Sequence, residues 1–284
     1  MSKILITGGA GFVGTNLIIQ LKQLGHKIVS IDNYSIGKKS NHQDEVEYID
    51  GDVCEIEEIL FKNDFDICFH LAGLSRIQPS FKEPNDTFRA NTYSTLKVLE
   101  WARINNTKVV YAGSSSKHHN PSDSPYAMFK FLGEEVCKLY RKVYNMNIEI
   151  VRFYNVYGSY EIKYGKWAAV IGLWRGIAEE GKKINIVGDG EQRRDFTHIK
   201  DIIDGLILIA RSSKSHKDAW ELGSGENFSL NEVYQMFKDK FNVEKNYIND
   251  QPGNYRETLR VNDDAIRILG WSPKMSLESY IKNL

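Results

Sequence analysis

Lys3-Ile4-Leu5-Ile6-Thr7-Gly8-Gly9-Ala10-Gly11-Phe12-Val13-Gly14 opens the chain with an apolar run, then glycines, then the start of an amphipathic stretch. Ile4 to Ile6 is continuously apolar, which predicts a strand buried on both faces. A helix is predicted from Phe12 to Leu24, ended by Gly25. Gly8, Gly11 and Gly14 therefore fall between a strand and a helix. Glycines there permit a tight turn, close backbone approach to a pyrophosphate and close packing of helix on strand. The helix N-terminus adds unpaired N–H groups and a favourable dipole for the phosphates. A glycine triplet alone is a weak signal, and Asp32 sharpens it. Asp32 ends a second predicted strand, Lys27–Asp32, where a carboxylate accepts hydrogen bonds from an adenosine ribose. That favours NAD. Lys38 and Lys39 follow closely enough to meet a 2′-phosphate, so NADP stays open.

Outward from this stretch, short apolar runs alternate with helical patterns. Strands are predicted at Val46–Ile49, Asp66–His70, Lys108–Ala112 and Ile148–Val151. Helices are predicted at Asn85–Asn105 and from Pro125 to about Asn145. Such alternation implies an α/β fold with a doubly wound parallel sheet covered on both faces, the Rossmann arrangement. Beyond residue 155 the pattern loosens. Tyr154–Lys163 is rich in Tyr, Gly and Ser, Trp167–Glu180 reads as helix, Gly188-Asp189-Gly190 as a turn, and Asp201–Ala210 as a helix apolar enough to be largely buried. The expected division is a dinucleotide-binding domain over residues 1–155 with a return segment around 195–222. Residues 156–284 form mainly a smaller α/β substrate-binding domain.

Composition narrows the function classes. The chain has 284 residues, with 37 Lys plus Arg against 37 Asp plus Glu. A zero balance argues against nucleic-acid binding through a global basic field, and leaves room for a local basic pocket. No apolar run approaches the ~20 residues that span a bilayer, and Met1–Ile6 is too short for a signal peptide. Cys54, Cys68 and Cys137 are odd in number and scattered, the pattern of reduced thiols in a cytoplasmic protein. His118 and His119 are adjacent, point apart and have no Cys or carboxylate cluster beside them, so no metal is expected.

Tyr126 and Lys130 share a helix face at i,i+4. A phenol titrates near 10 and is a poor base at neutral pH, and a nearby ammonium lowers that value. Tyr34/Lys38, Tyr93/Lys97 and Tyr234/Lys238 have the same spacing, so spacing does not single out the pair. Position does. Tyr126 follows Pro125 at the start of the helix after strand Lys108–Ala112, and that strand runs into Gly113-Ser114-Ser115-Ser116. Strand C-termini are where open parallel sheets bind ligands, so the serines can meet both cofactor and Tyr126.

These residues resemble the extended short-chain dehydrogenase/reductases, specifically the NAD-dependent nucleotide-sugar epimerase/dehydratase family. The resemblance covers nearly the whole chain. It rests on Thr7–Gly14, Asp32-Asn33, Asp52-Val53, His70-Leu71-Ala72-Gly73, Asn91, the serine run and Ser124–Lys130. It continues through Arg152–Gly158, Gly188–Phe196 and Leu269–Pro273. It implies that Gly8, Gly11, Phe12, Val13, Gly14, Asp32 and Asn33 hold the cofactor, that Asp52 and Val53 contact adenine, and that Leu71, Ala72, Gly73 and Leu74 line the nicotinamide side. Asn91 is implied as a buried polar residue of the cofactor shell and Tyr154 as nicotinamide-proximal. Ser114 is implied to bond the sugar hydroxyl being oxidised, with Ser115 as backup. Tyr126 is implied as general base, and Lys130 as its partner and a ligand of the nicotinamide ribose. Asn155, Arg194 and Arg256 are implied contacts of a sugar nucleotide diphosphate.

The implied activity is that of a nucleotide-sugar epimerase, by default a UDP-hexose 4-epimerase. It oxidises the sugar transiently to a keto-sugar with tightly bound NAD and returns hydride to the opposite face. Dehydratases of the family follow the catalytic Ser/Thr with Asp-Glu, whereas Ser115-Ser116 stand here. A 4,6-dehydratase, a keto-sugar reductase and a non-catalytic NAD(P)-binding module are the alternatives. Two departures bear on the substrate. Lys117-His118-His119 replaces the family's Val-Tyr-Gly in a shortened loop before Tyr126, and Gln251 stands where many relatives place an Arg. The expected partners are a nucleotide-diphosphate sugar and a second copy of the chain, paired through helices 85–105 and 125–145, with no nucleic acid and no membrane.

Overall fold

Isoleucine, leucine and valine runs become strands whose alternate side chains enter two different cores. In the computed structural model, which describes residues 1–61 and 64–284, the first half runs β1 (Lys3–Thr7), α1 (Phe12–Gln23), β2 (Lys27–Asp32), β3 (Glu47–Asp50), α2 (Ile56–Ile59), β4 (Ile67–His70), α3 (Ile77–Lys82), α4 (Pro84–Phe88), α5 (Ser94–Asn105), β5 (Lys108–Ser114), α6 (Pro125–Tyr144) and β6 (Ile148–Phe153). The second half runs β7 (Asn155–Tyr157), α7 (Val170–Glu179), β8 (Ile184–Val187), β9 (Arg193–His198), α8 (Ile199–Arg211), β10 (Trp220–Leu222), β11 (Asn227–Ser229), α9 (Leu230–Phe241), β12 (Lys245–Ile248), α10 (Asp264–Leu269) and α11 (Leu277–Lys282).

Seven strands form one parallel sheet in the order β3-β2-β1-β4-β5-β6-β10. Ile4 and Ile6 face a core with Leu17 and Ile18 of α1 and Ile202, Leu206 and Ile209 of α8. Leu5 faces the other core, with Val98 and Leu99 of α5 and Cys137 and Tyr140 of α6. This is the period-2 alternation of a strand covered on both faces. Strand order reverses between β1 and β4, which opens a crevice beyond their C-terminal ends. After β6 the chain leaves the sheet, and α8 and β10 bring it back. A third core gathers Trp174, Ile184, Ile186, Val233 and Phe237 beneath two smaller sheets, β11-β9-β7 and β12-β8.

The predicted single helix over 85–105 is instead α4, a π-turn at Arg89–Tyr93 and α5. The looser turn carries Asn91, whose side chain accepts from Leu74 N at 3.0 Å and donates to Leu74 O at 2.9 Å. Single π-turns of this kind recur at functional sites.

Candidate active site

The glycine loop is shaped by close approach of neighbouring backbone. Gly8 has φ +74°, and a Cβ there would lie 2.9 Å from Cα and N of Ala72. A Cβ on Gly14 would lie 2.3 Å from Gly8 O and 2.6 Å from Gly9 Cα. Only glycine lets the loop after β4 and the start of α1 close on the turn in this way. At the end of β2, Asp32 accepts hydrogen bonds from Ala10 N and Tyr34 N, both at 2.9 Å. Burial pushes its carboxyl upward, and the two backbone donors oppose that rise. Lys39, which could have met a 2′-phosphate, pairs with Asp50 at 2.9 Å.

One cleft of about 1130 Å³ lies over these residues at the switch point. Phe12, Val13, Gly11, Asn33, Asp52, Val53, Leu71, Ala72 and Gly73 line it, as do Ser114, Ser115, Tyr126, Lys130, Tyr154, Asn155 and Arg194. Asp52 accepts from Cys54 N and pairs with Arg89, both at 2.9 Å, so its carboxylate is oriented from two sides. Asn91 also borders the cleft, but its amide is spent on Leu74 and therefore fixes the 71–74 loop. Tyr154 donates to Glu221 at 2.9 Å, and the Asn155 amide nitrogen is held by Asp195 O and Thr258 Oγ1. Arg256 does not join them. It is exposed, pairs with Asp189 at 2.9 Å, and is outside the cleft lining.

Ser114 is the last residue of β5, and Tyr126 is the second of α6. Ser124 caps that helix by accepting from Ala127 N at 3.1 Å, with Pro125 at the first helical position. The short loop between them is pinned. His118 pairs with Glu221 at 2.9 Å, Lys117 pairs with Glu135 at 2.9 Å, and His119 stacks on Tyr255 with ring centroids 3.8 Å apart. As a result Tyr126 Oη donates to Ser114 Oγ at 3.1 Å. Ser116 N and Oγ also donate to Ser114 Oγ, at 3.2 and 2.9 Å. A hydroxyl oxygen has two lone pairs for these three contacts, so in one of the hydroxyl pairs at a time the Ser114 proton is the donor.

Lys130 lines the same cleft. Its ammonium donates to Ala112 O, and burial pushes it down to about 8. Burial also pushes the Tyr126 phenol up, and the positive charge that opposes this is Arg76's. Arg76 has no spacing signature, and nothing in the sequence alone marks it. Desolvation in the cleft wall pushes the Arg194 guanidinium down to about 10.

A carboxylate beside a backbone cradle suits a dinucleotide, and a hydroxyl relay one strand away suits proton exchange with an alcohol. Together they define a dinucleotide-dependent enzyme of an alcohol substrate. The chain belongs to the NAD dependent epimerase/dehydratase family, whose sequence profile matches residues 4–223. NAD is its cofactor, and the residues fit that group: Gly8 and Gly14 leave room only for backbone, and the Asp32 carboxylate repels a 2′-phosphate. The UDP-glucose 4-epimerase of Mycolicibacterium smegmatis is 26% identical, over 97% of this chain and 95% of that one. The solved UDP-glucose 4-epimerase of Thermotoga maritima, with UDP-glucose, has a TM-score of 0.90 at 25% identity, over 99% of this chain and 96% of that one. The UDP-glucuronic acid 4-epimerase of Bacillus cereus, with UDP-glucuronic acid and NAD, has a TM-score of 0.90 at 27% identity and the same coverage.

Proposed function

We propose that the protein is a UDP-hexose 4-epimerase whose proton relay is Ser114 and Tyr126. The observation that carries this reading is the 3.1 Å contact between Tyr126 Oη and Ser114 Oγ in the same cleft as the glycine cradle. When bound, the nicotinamide supplies the acceptor, and then the donor, of the hydride at the sugar carbon. Ser114 sits between the sugar hydroxyl and Tyr126. With Tyr126 deprotonated, the form that the Arg76 charge favours against burial, Ser114 takes the hydroxyl proton and passes its own to the phenolate, and reversal of the relay returns a proton to the oxygen. Lys130 acts at the peptide of Ala112 and orients the strand end that carries Ser114. Leu71, Ala72 and Gly73, held through Asn91 and Leu74, shape the nicotinamide side. Arg194 grips the diphosphate, where a planar guanidinium suits a bidentate anion contact. Asp32 and Asn33 hold the adenosine ribose, and Asp52 and Val53 the adenine.

Ser115 and Ser116 follow Ser114, so the carboxyl pair with which a dehydratase removes water is not at those positions. That favours epimerisation over 4,6-dehydration. We place the enzyme in the cytoplasm, consistent with three buried free cysteines and, among the described residues, no helix long and apolar enough to cross a membrane. Tyr126→Phe removes the proton carrier and keeps the ring. Turnover is expected to fall by about 10²–10⁴-fold with NAD binding retained. Wild-type turnover by that variant would remove Tyr126 from the mechanism.

A further inference from the structure

Arg76 leads into α3 from the loop after β4, on the cleft wall that also carries Ser75 and Ile77. Its Nε donates to Trp167 O at 3.0 Å, and one terminal nitrogen donates to Ser75 O at 2.7 Å. Two backbone carbonyls thus fix the plane of the guanidinium and leave further N–H groups on its other edge. Among the described residues no carboxylate lies within ion-pair distance of it. Lys166 and Arg89, which flank the same cleft, are both paired, to Glu83 and Asp52. A cation held in a cleft by neutral carbonyls, without an anion from the chain, is matched by an anion on the ligand.

The order of groups along the cleft says which anion. Tyr126 N donates to Ser80 Oγ of α3 at 3.1 Å, so the start of α6 lies against α3 and Arg76, at the head of α3, stands on the Tyr126 side of the cleft. Arg194 is carried by β9 instead. In the epimerase reading, Ser114 and Tyr126 serve the sugar hydroxyl that reacts and Arg194 serves the diphosphate. A cation on the Arg76 side of Tyr126 faces the sugar ring, not the phosphates.

We infer that Arg76 selects a nucleotide sugar whose hexose bears a carboxylate, a UDP-hexuronate. The inference rests on the epimerase reading for the pose of the sugar and narrows its substrate class. A guanidinium presents parallel N–H donors to a carboxylate, and a neutral hydroxymethyl group at the same carbon offers it one weak acceptor.

The test is calorimetric binding to the NAD-loaded protein of three probes: UDP-glucuronate, UDP-glucuronamide and UDP-glucose. UDP-glucuronate is expected to bind at least about tenfold tighter than its amide and than UDP-glucose, the scale of a hydrogen-bonded charge. Arg76→Met is expected to bring the three within about twofold, and Arg76→Lys to keep part of the preference, as befits a charge without the fork. Equal or tighter binding of the neutral probes by the wild type overturns the inference, and so does a preference that survives Arg76→Met. The amide comparison needs no variant, so it stands if Arg76→Met fails to fold. Epimerisation of UDP-glucose without a uronate preference sinks this inference alone. A uronate preference without turnover of any probe sinks the epimerase reading alone.

Discussion

At the scale of residues, the site turns on Ser114 Oγ, where Tyr126 and both donors of Ser116 converge. Lys130 gives a consequence that pH can read. A lysine in the unfolded chain titrates near 10.4, and in the fold burial lowers this group to about 8. Between those values the unfolded chain holds the extra proton, so stability rises with pH across the window and the cost of the charged form is fully present below it. Lys130→Met is expected to flatten that rise in thermal melts recorded from pH 7 to 9.5, while turnover drops. An undiminished slope would show that another group carries it. Residue-scale legibility depended on local signals. The placement of Tyr126 beside Ser114 in the cleft is legible from its position after a strand and a proline. A lone arginine in a turn, such as Arg256, gives no sign in the sequence of its partner, here Asp189. Arg76 went unseen for the same reason, since its setting depends on Trp167, which is distant in sequence.

At the scale of elements, β6 is tied to its neighbours by buried charge. Arg152 reaches Glu134 of α6 at 2.8 Å and Glu221 of β10 at 2.9 Å, and all three side chains are almost fully inaccessible. Glu134 also accepts from Ser114 N at 3.4 Å, so the cluster continues to the end of β5. Arg152→Met leaves the buried Glu134 without its cation and Glu221 with only His118 and Tyr154, and is expected to cost about 3–5 kcal/mol in denaturant unfolding. A loss under about 1 kcal/mol would mean that water or His118, which already pairs with Glu221, replaces it. The strands β1, β2, β4, β5 and β6 are readable because each holds at least two consecutive apolar residues, rich in Ile and Val, between polar breaks. β7, β10 and β11 are three residues each, and β10 reads Trp-Glu-Leu with its glutamate buried, so neither length nor alternation marks them. The π-turn at Arg89–Tyr93 leaves the helical period almost intact and therefore reads as plain helix.

At the scale of the whole molecule, zero net charge and an anionic substrate are reconciled by placing cations singly in one cleft, Arg76 and Arg194. The chain enters the seven-stranded sheet a final time through β10, so the sheet and the smaller sheets beside it are built from interleaved stretches of sequence. We propose that the second copy of the chain docks on α5 and α6. Those helices pack together and expose Leu96, Leu139, Val143 and Tyr144, with Val143 58% and Leu139 53% accessible. Apolar residues so grouped on adjacent helices suit an isologous contact across a twofold axis. Light scattering is expected to give twice the 32.6 kDa chain mass, and Leu139→Glu with Val143→Glu to halve it. A monomer mass for the wild type would refute the pairing.

Epimerisation by way of a keto-sugar returns the hydride to the carbon that lost it, on the other face. The hydrogen at C4 leaves and returns without meeting solvent. The purified enzyme with NAD, incubated with UDP-hexose or UDP-hexuronate in D2O and followed by NMR, is expected to form the C4 epimer with protium retained at C4 and no net change in nicotinamide absorbance. Deuterium at C5 or C6, net consumption of the nicotinamide, or no epimer from any probe would contradict the epimerase mechanism.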